Sequence, residues 1–245
     1  MARRLAEQFP VRVWARRPEA TAGFADVALR LEDLAWCELV GVCVTDDAAL
    51  REVVERLLPV VRPGTLVCVH STVRPDTVRE LAERLEAAGS GLVDAPISGG
   101  SDGAARGELV VFVGGRREHI EQSTPMLEVL GALHVVGAVG AGQAAKILNN
   151  ALYTAHAALG AAALDLGHEL GLLRRELANG ILGGSGASFA FGRLDRLHDP
   201  ARAAHFAWLL EKDLDLFDAM TGEAGTPISS VARPFIARLR SVADA

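Results

Sequence analysis

The hydrophobic pattern changes period partway along the chain, and that change constrains the fold more than any other feature. Up to residue 138, short apolar runs alternate with helix-like stretches. The runs are 11–14, 39–45, 66–70, 92–94, 109–113 and 133–136. They are rich in Val and Leu and mostly lack polar–apolar alternation, as suits strands covered on both faces. Between them, 47–58, 75–88 and 117–130 carry helical spacing, with Pro75 suited to a first helical position. Such alternation predicts a mostly parallel α/β sheet. After Gly140 the strands stop. Helices are predicted over 141–170, 174–182, 202–220 and 227–239, and Gly183, Gly184, Ser185 and Gly186 form the clearest loop. The chain therefore reads as an α/β domain over 1–138 and an all-helical domain over 139–245.

Composition narrows the function classes. Net charge is −6 with no basic block, which argues against nucleic acid as a partner. The least polar stretch, around 151–167, is broken by His156 and Asp165 and does not suit a membrane span. The start carries Arg3 and Arg4 but no apolar segment follows, so it does not read as a signal peptide. Cys37, Cys43 and Cys68 have no metal-ligand spacing and read as small core residues of a reduced, cytoplasmic protein. The seven histidines show no ligand spacing either, and no metal site is expected.

Of 25 basic residues only Lys146 and Lys212 are lysines. Where arginine meets the general need for a cation, a retained lysine points to a need for an ammonium on a flexible stem. On a helix, Gln143, Lys146, Asn150 and Tyr153 share one face. The same spacing suits a solvated stripe, and codon bias toward arginine also empties a chain of lysine.

Three stretches in order resemble the β-hydroxyacid dehydrogenase family, in particular its 3-hydroxyisobutyrate dehydrogenase and tartronate semialdehyde reductase group. They are Val93-Asp94-Ala95-Pro96-Ile97-Ser98-Gly99-Gly100 with the glycines that follow, residues 140–150, and Glu211-Lys212-Asp213-Leu214. Ser71-Thr72-Val73-Arg74-Pro75 matches a further family segment. The resemblance implies a Rossmann-like N-terminal domain, a helical substrate and dimerisation domain, and an NAD(P)-dependent oxidoreductase. It implies Lys146 as the catalytic lysine beside the substrate oxygen, with Asn150 orienting it and Asn149 as a less certain neighbour. Ser98, Gly99 and Gly100 would hold the substrate carboxylate; alone they read as an ordinary turn. Val44, Thr45, Ser71 and Thr72 would contact the cofactor. Lys212 would reach it from the second domain, or else sit on the surface in a charge cluster. Family members pair through the helical half, so a homodimer is expected. Substrate would enter between the domains, with Ser185, Ser188 and Phe191 on the far wall.

Cofactor choice is read from Arg16 and Arg17. An acidic residue after the second strand of such a fold holds a ribose hydroxyl, whereas arginine suits the 2′-phosphate. No acid occurs between Gln8 and Glu19, which favours NADP over NAD, although the two arginines also suit a basic surface turn. Departures from the family pattern accompany the match. Members open with a strand and a G-x-G-x-x-G turn, and neither occurs here; the first strand is expected to be missing. Two strands would then lack a neighbour and cofactor binding would be weak. The last helix is followed by little tail, and Ala162 stands where Glu is common. The rival readings are a truncated, non-catalytic homologue acting as an interaction protein, and an imine reductase-like enzyme. Lys146 counts against the second.

Overall fold

The computed structural model describes residues 1–243. The chain divides into two compact units, Met1–Lys146 and the remainder from Ile147. Against the boundary expected near Val139, the division falls inside the long helix of the second half.

The first unit begins with a short helix, α1 (Ala2–Leu5), and a separate pair of parallel strands, β1 (Arg12–Val13) and β2 (Asp26–Val27). The main sheet contains β3 (Leu39–Val42), β4 (Leu66–Val69), β5 (Gly91–Asp94), β6 (Ile97–Ser98), β7 (Leu109–Gly115) and β8 (Gly131–Gly137). Its order is β3-β4-β5-β7-β6, with β8 also on β7. The sheet is more mixed than the mostly parallel one expected. β3, β4 and β5 run parallel, but β7 runs antiparallel to both β5 and β6, and β8 follows β7. Among the described residues β3 pairs with β4 alone, and β1 with β2 alone.

Strand alternation sorts the apolar side chains onto two faces. Val67 and Val69 of β4 pack with Val40, Val42 and Leu92 under helices α2 (Asp47–Leu57) and α3 (Pro75–Ala87). α2 presents Leu50, Val53, Val54 and Leu57, spaced one helical face apart, and α3 presents Val78, Leu81, Ala82 and Leu85. Asp46 caps α2 by accepting from the Ala49 N–H at 2.9 Å. Leu66 and Cys68, on the other face of β4, pack with Val93, Val111, Val113, Leu127 and Leu130. The last two come from α5 (Arg117–Leu130), found with the limits expected. A short helix, α4 (Gly100–Arg106), lies where only a glycine turn was expected. Cys68 is a core residue as read, but Cys43 is exposed and Cys37 half-buried; all three thiols are free.

The helix α6 (Ala141–Glu169) starts in the first unit and runs through the second. With α7 (Arg174–Gly183), α8 (Pro200–Thr221) and α9 (Thr226–Ala243), it builds a second core. Ala151, Ala155, Leu164, Phe191, Leu210, Leu214, Phe217, Phe235 and Leu239 fill that core. Phe191, expected on a substrate wall, is buried there; a Cβ on Gly160 would stand 2.6 Å from its ring. Ser188 accepts from the Phe191 N–H at 3.0 Å, and Ser185 is exposed. Among the described residues, no helix is long and apolar enough to cross a membrane.

Candidate active site

The carboxyl end of β5 carries a charged residue with no access to solvent, Asp94 at 0% exposure. Its carboxylate accepts from the N–H of Gly140 at 2.8 Å and from the N–H of Gln143 at 2.8 Å. These are the amides of the residue just before α6 and of its first turn, which have no partner inside the helix. An N-cap normally comes from the residue next to the helix; here a strand supplies it. Glycines let the backbones approach. A Cβ on Gly142 would lie 2.6 Å from the Phe112 carbonyl and 2.7 Å from that of Asp94, and one on Gly114 would lie 2.6 Å from Asp94 Oδ1. Burial pushes the Asp94 carboxyl up to about 6, against the two amide bonds and the Arg79 charge that pull it down.

Gln143, also fully buried, extends the anchorage. Its Oε1 accepts from the Val73 N–H at 3.0 Å, and its Nε2 donates to the Ser71 carbonyl at 2.9 Å. The carboxamide thus satisfies one donor and one acceptor of the loop after β4, as a neighbouring strand would. Ser71 in turn accepts the Val44 N–H on its Oγ at 2.5 Å. The loops after β3 and β4 and the start of α6 are tied together at the carboxyl ends of adjacent parallel strands. Open α/β sheets bind ligands at that edge.

Lys146 follows Gln143 by one turn and is only 8% exposed. Of the residues expected in the cofactor loops, Ser71 is buried, Thr72 and Val44 are half-buried, and Thr45 is exposed with its hydroxyl bonded to Asp46 at 2.9 Å. Ser98 ends β6 half-buried. Gly99 and Gly100 are exposed, with φ of 129° and 67°, a region L side chains avoid. Gly100 has open space at its Cβ position, so backbone conformation alone requires its glycine. Arg17 is exposed after β1, and Arg16 pairs with Glu52 of α2 at 2.7 Å, both side chains being solvated.

In the second unit, the residues expected to act form a chain of contacts. Asn149 Nδ2 donates to Asn150 Oδ1 at 3.0 Å, and Asn150 Nδ2 donates to Asp213 Oδ2 at 2.5 Å. The other Asp213 oxygen lies 2.9 Å from Lys212 Nζ, an ion pair without an aligned hydrogen bond. Asp213 is 1% exposed, so pairing is what makes its charge tolerable. Sequence reading missed Asp94, the support from Gln143, and Asp213. Their signal was an acid inside an apolar run or beside a retained lysine.

Two family matches meet at residue 140, beside the boundary expected near Val139 and ahead of the division inside α6. Residues 1–140 match the family described as the NAD binding domain of 6-phosphogluconate dehydrogenase. Residues 140–242 match the NAD-binding family of NADP-dependent 3-hydroxyisobutyrate dehydrogenase. The chain is similar to a 3-hydroxyisobutyrate dehydrogenase of Pseudomonas aeruginosa, 33% identical over 96% of this chain and 85% of that protein. Among solved structures it is similar to the Mycobacterium tuberculosis 3-hydroxyisobutyrate dehydrogenase with L-serine. That likeness has a TM-score of 0.82 and 27% identity, over 99% of this chain and 92% of that one. A structure described as Psf3 in complex with NADP+ and 2-OPP has a TM-score of 0.84 and 26% identity, over 98% of this chain and 89% of that one.

Proposed function

The chain belongs to the β-hydroxyacid dehydrogenase family, and we propose that it interconverts a small β-hydroxy acid and its semialdehyde or keto acid with NADP as the preferred cofactor. Family membership makes it an NAD(P)-dependent hydroxyacid dehydrogenase. The observation that carries the finer reading is Lys146. It is a nearly buried lysine on a helix anchored to the carboxyl ends of β4 and β5.

The residues at this edge fit part of a nicotinamide dinucleotide, without the G-x-G-x-x-G turn that would cradle its pyrophosphate. Two guanidiniums, Arg16 and Arg17, follow β1 and suit a 2′-phosphate. Val44, Thr45, Ser71 and Thr72 supply hydroxyls and backbone groups at the ends of β3 and β4. In the second unit Lys212 pairs with Asp213, and the family resemblance assigns it a cofactor role. A bound nicotinamide supplies hydride in one direction and accepts it in the other.

The chain's own residues do the rest. Ser98 Oγ and the N–H groups of Gly99 and Gly100 bind the substrate carboxylate, where glycine leaves no side chain in the way. The Lys146 ammonium donates to the carbonyl oxygen as negative charge develops there, and receives that proton back in the oxidative direction. Asn150, with its amide held by Asn149 and Asp213, orients the lysine or the substrate.

A homodimer through the helical unit accompanies this reading. Leu148, Leu152, Leu159 and Leu166 form an apolar stripe on α6 that Leu170 continues just beyond it, all 46% or more exposed, which favours cover by a second copy. Three free thiols and the absence of a spanning helix among the described residues suit a reducing cytoplasm. The test is an absorbance assay of NADP and NAD reduction with 3-hydroxyisobutyrate, glycerate, 3-hydroxypropionate and L-serine. At least one should be oxidised in a cofactor-dependent way. Inertness toward all four, in both directions, would remove the reading.

A further inference from the structure

Gln143 spends both ends of a buried carboxamide on backbone groups of one distant loop. Its Oε1 takes the Val73 N–H and its Nε2 gives to the Ser71 carbonyl. Its own N–H is held by Asp94, so the side chain leaves from a fixed point on α6. Three segments meet here: the loop bears Ser71 and Thr72, the helix bears Lys146, and Ser71 Oγ holds Val44 of the next loop. We infer that Gln143 is a positioning residue, which with Asp94 clamps the loop after β4 to the helix of Lys146 so that the two keep one relative position. This rests on the reading of Ser71 and Thr72 as cofactor contacts and of Lys146 as the proton donor.

The geometry singles out an amide. A buried donor and acceptor facing one side chain need a group that accepts at one atom and donates at the other. Methionine fills the volume and serves neither. Ionised glutamate accepts from Val73 but faces the Ser71 carbonyl with a second acceptor. Neutral glutamic acid serves both, its O–H replacing the N–H. Gln143→Glu is therefore a reversible version of the clamp. The charged or titratable groups of the adjoining segments are Asp94 on β5, which holds the Gln143 N–H, Arg79 on α3 beside Gly140, Lys146 one turn on along α6, and His70 just before Ser71, its ring bonded to Ala95. Asp94 and burial both favour the neutral form of an introduced glutamate.

The readout is amide hydrogen exchange at Val73 in the full chain, each variant compared with the parent at matched pH, together with NADP affinity by calorimetry. Gln143→Met should speed exchange at Val73 roughly thirtyfold, the scale of two lost hydrogen bonds, and weaken NADP by a similar factor. Gln143→Glu should behave like Gln143→Met above about pH 9 and return to parent protection near about pH 6, since a fully buried glutamate titrates near about 8–9. Parent-like protection in a folded Gln143→Met, or no acid recovery in Gln143→Glu, would overturn the inference. If Gln143→Met fails to fold, the glutamate variant at low pH decides. Turnover of Lys146→Met tests the reading beneath it separately, because exchange at Val73 needs no catalysis.

Discussion

Asp94 makes the stability of this fold rise on mild acidification, and the size of the effect follows from its surroundings. The carboxyl is fully buried and has its pKa raised from 3.8 to about 6. Desolvation is the larger cause, and the bonds from Gly140 and Gln143 only partly offset it. A folded pKa above the unfolded one means that the folded state binds the proton first. The contribution is therefore complete below 3.8 and is lost as pH rises through about 6. The shift corresponds to about 3 kcal/mol between the two limits, of which about 2 kcal/mol is reached by about pH 4.5. His70 works the other way. It is buried with Nδ1 donating to the Ala95 carbonyl at 2.9 Å, and burial lowers its pKa, so its neutral form loses stability as pH falls. Exposed carboxylates with lowered pKa, such as Asp46 and Glu55, also lose stability in acid. The assay must therefore be a difference. Urea unfolding of the parent and of Asp94→Asn, at several points from about pH 7.5 to about pH 4.5, isolates the one group. The parent should gain about 2 kcal/mol relative to the variant over that range. A difference that stays flat, or that moves against the parent on acidification, would refute the reasoning.

Two further predictions concern cofactor and assembly. Replacing Arg16 and Arg17 with Ala should abolish a preference for NADPH over NADH, by roughly 1.5–3 kcal/mol of lost charge-assisted contact; kcat/KM with both cofactors checks it, and an NADH preference in the parent would show that this turn does not read the phosphate. Leu159→Glu with Leu166→Glu places two charges on the exposed stripe of α6 and should yield a monomer by sedimentation, with the fold retained because both side chains face solvent in one copy.

The helices were legible because their signals are local. Residues 117–130 carried helical spacing, and Pro75 marked a start with its own chemistry, while the Asp46 cap of α2 went unread. The strands were legible as apolar runs, but their directions were not. β7 turns antiparallel to β5 because α4 reverses the chain after β6, which continues along β7 in the direction of β5; β6 and α4 are both too short to leave a periodic pattern. Two-residue strands such as β2 escape for the same reason. Among the candidate site residues, Lys146 stood out because lysine is rare in this chain, whereas Ser98, Gly99 and Gly100 came only from the family resemblance and alone read as a turn. Asp94 and Asp213 did not stand out. Each acts through a partner 46 or more residues away, on Gly140 and Asn150 respectively, and spacing along the chain carries no trace of such contacts. Phe191 was misplaced because a loop position says nothing of the Gly160 notch that receives its ring.

The central claim is that a nearly buried ammonium on α6 handles the proton of a hydroxyacid dehydrogenase reaction. Single-turnover hydride transfer with NADPH and a small semialdehyde, compared between the parent and Lys146→Met, tests it most directly. Removing one donor to the developing alkoxide should slow the chemical step by roughly 10²–10³ while leaving NADPH affinity within about threefold. A variant that transfers hydride within about threefold of the parent rate would contradict the assignment of Lys146.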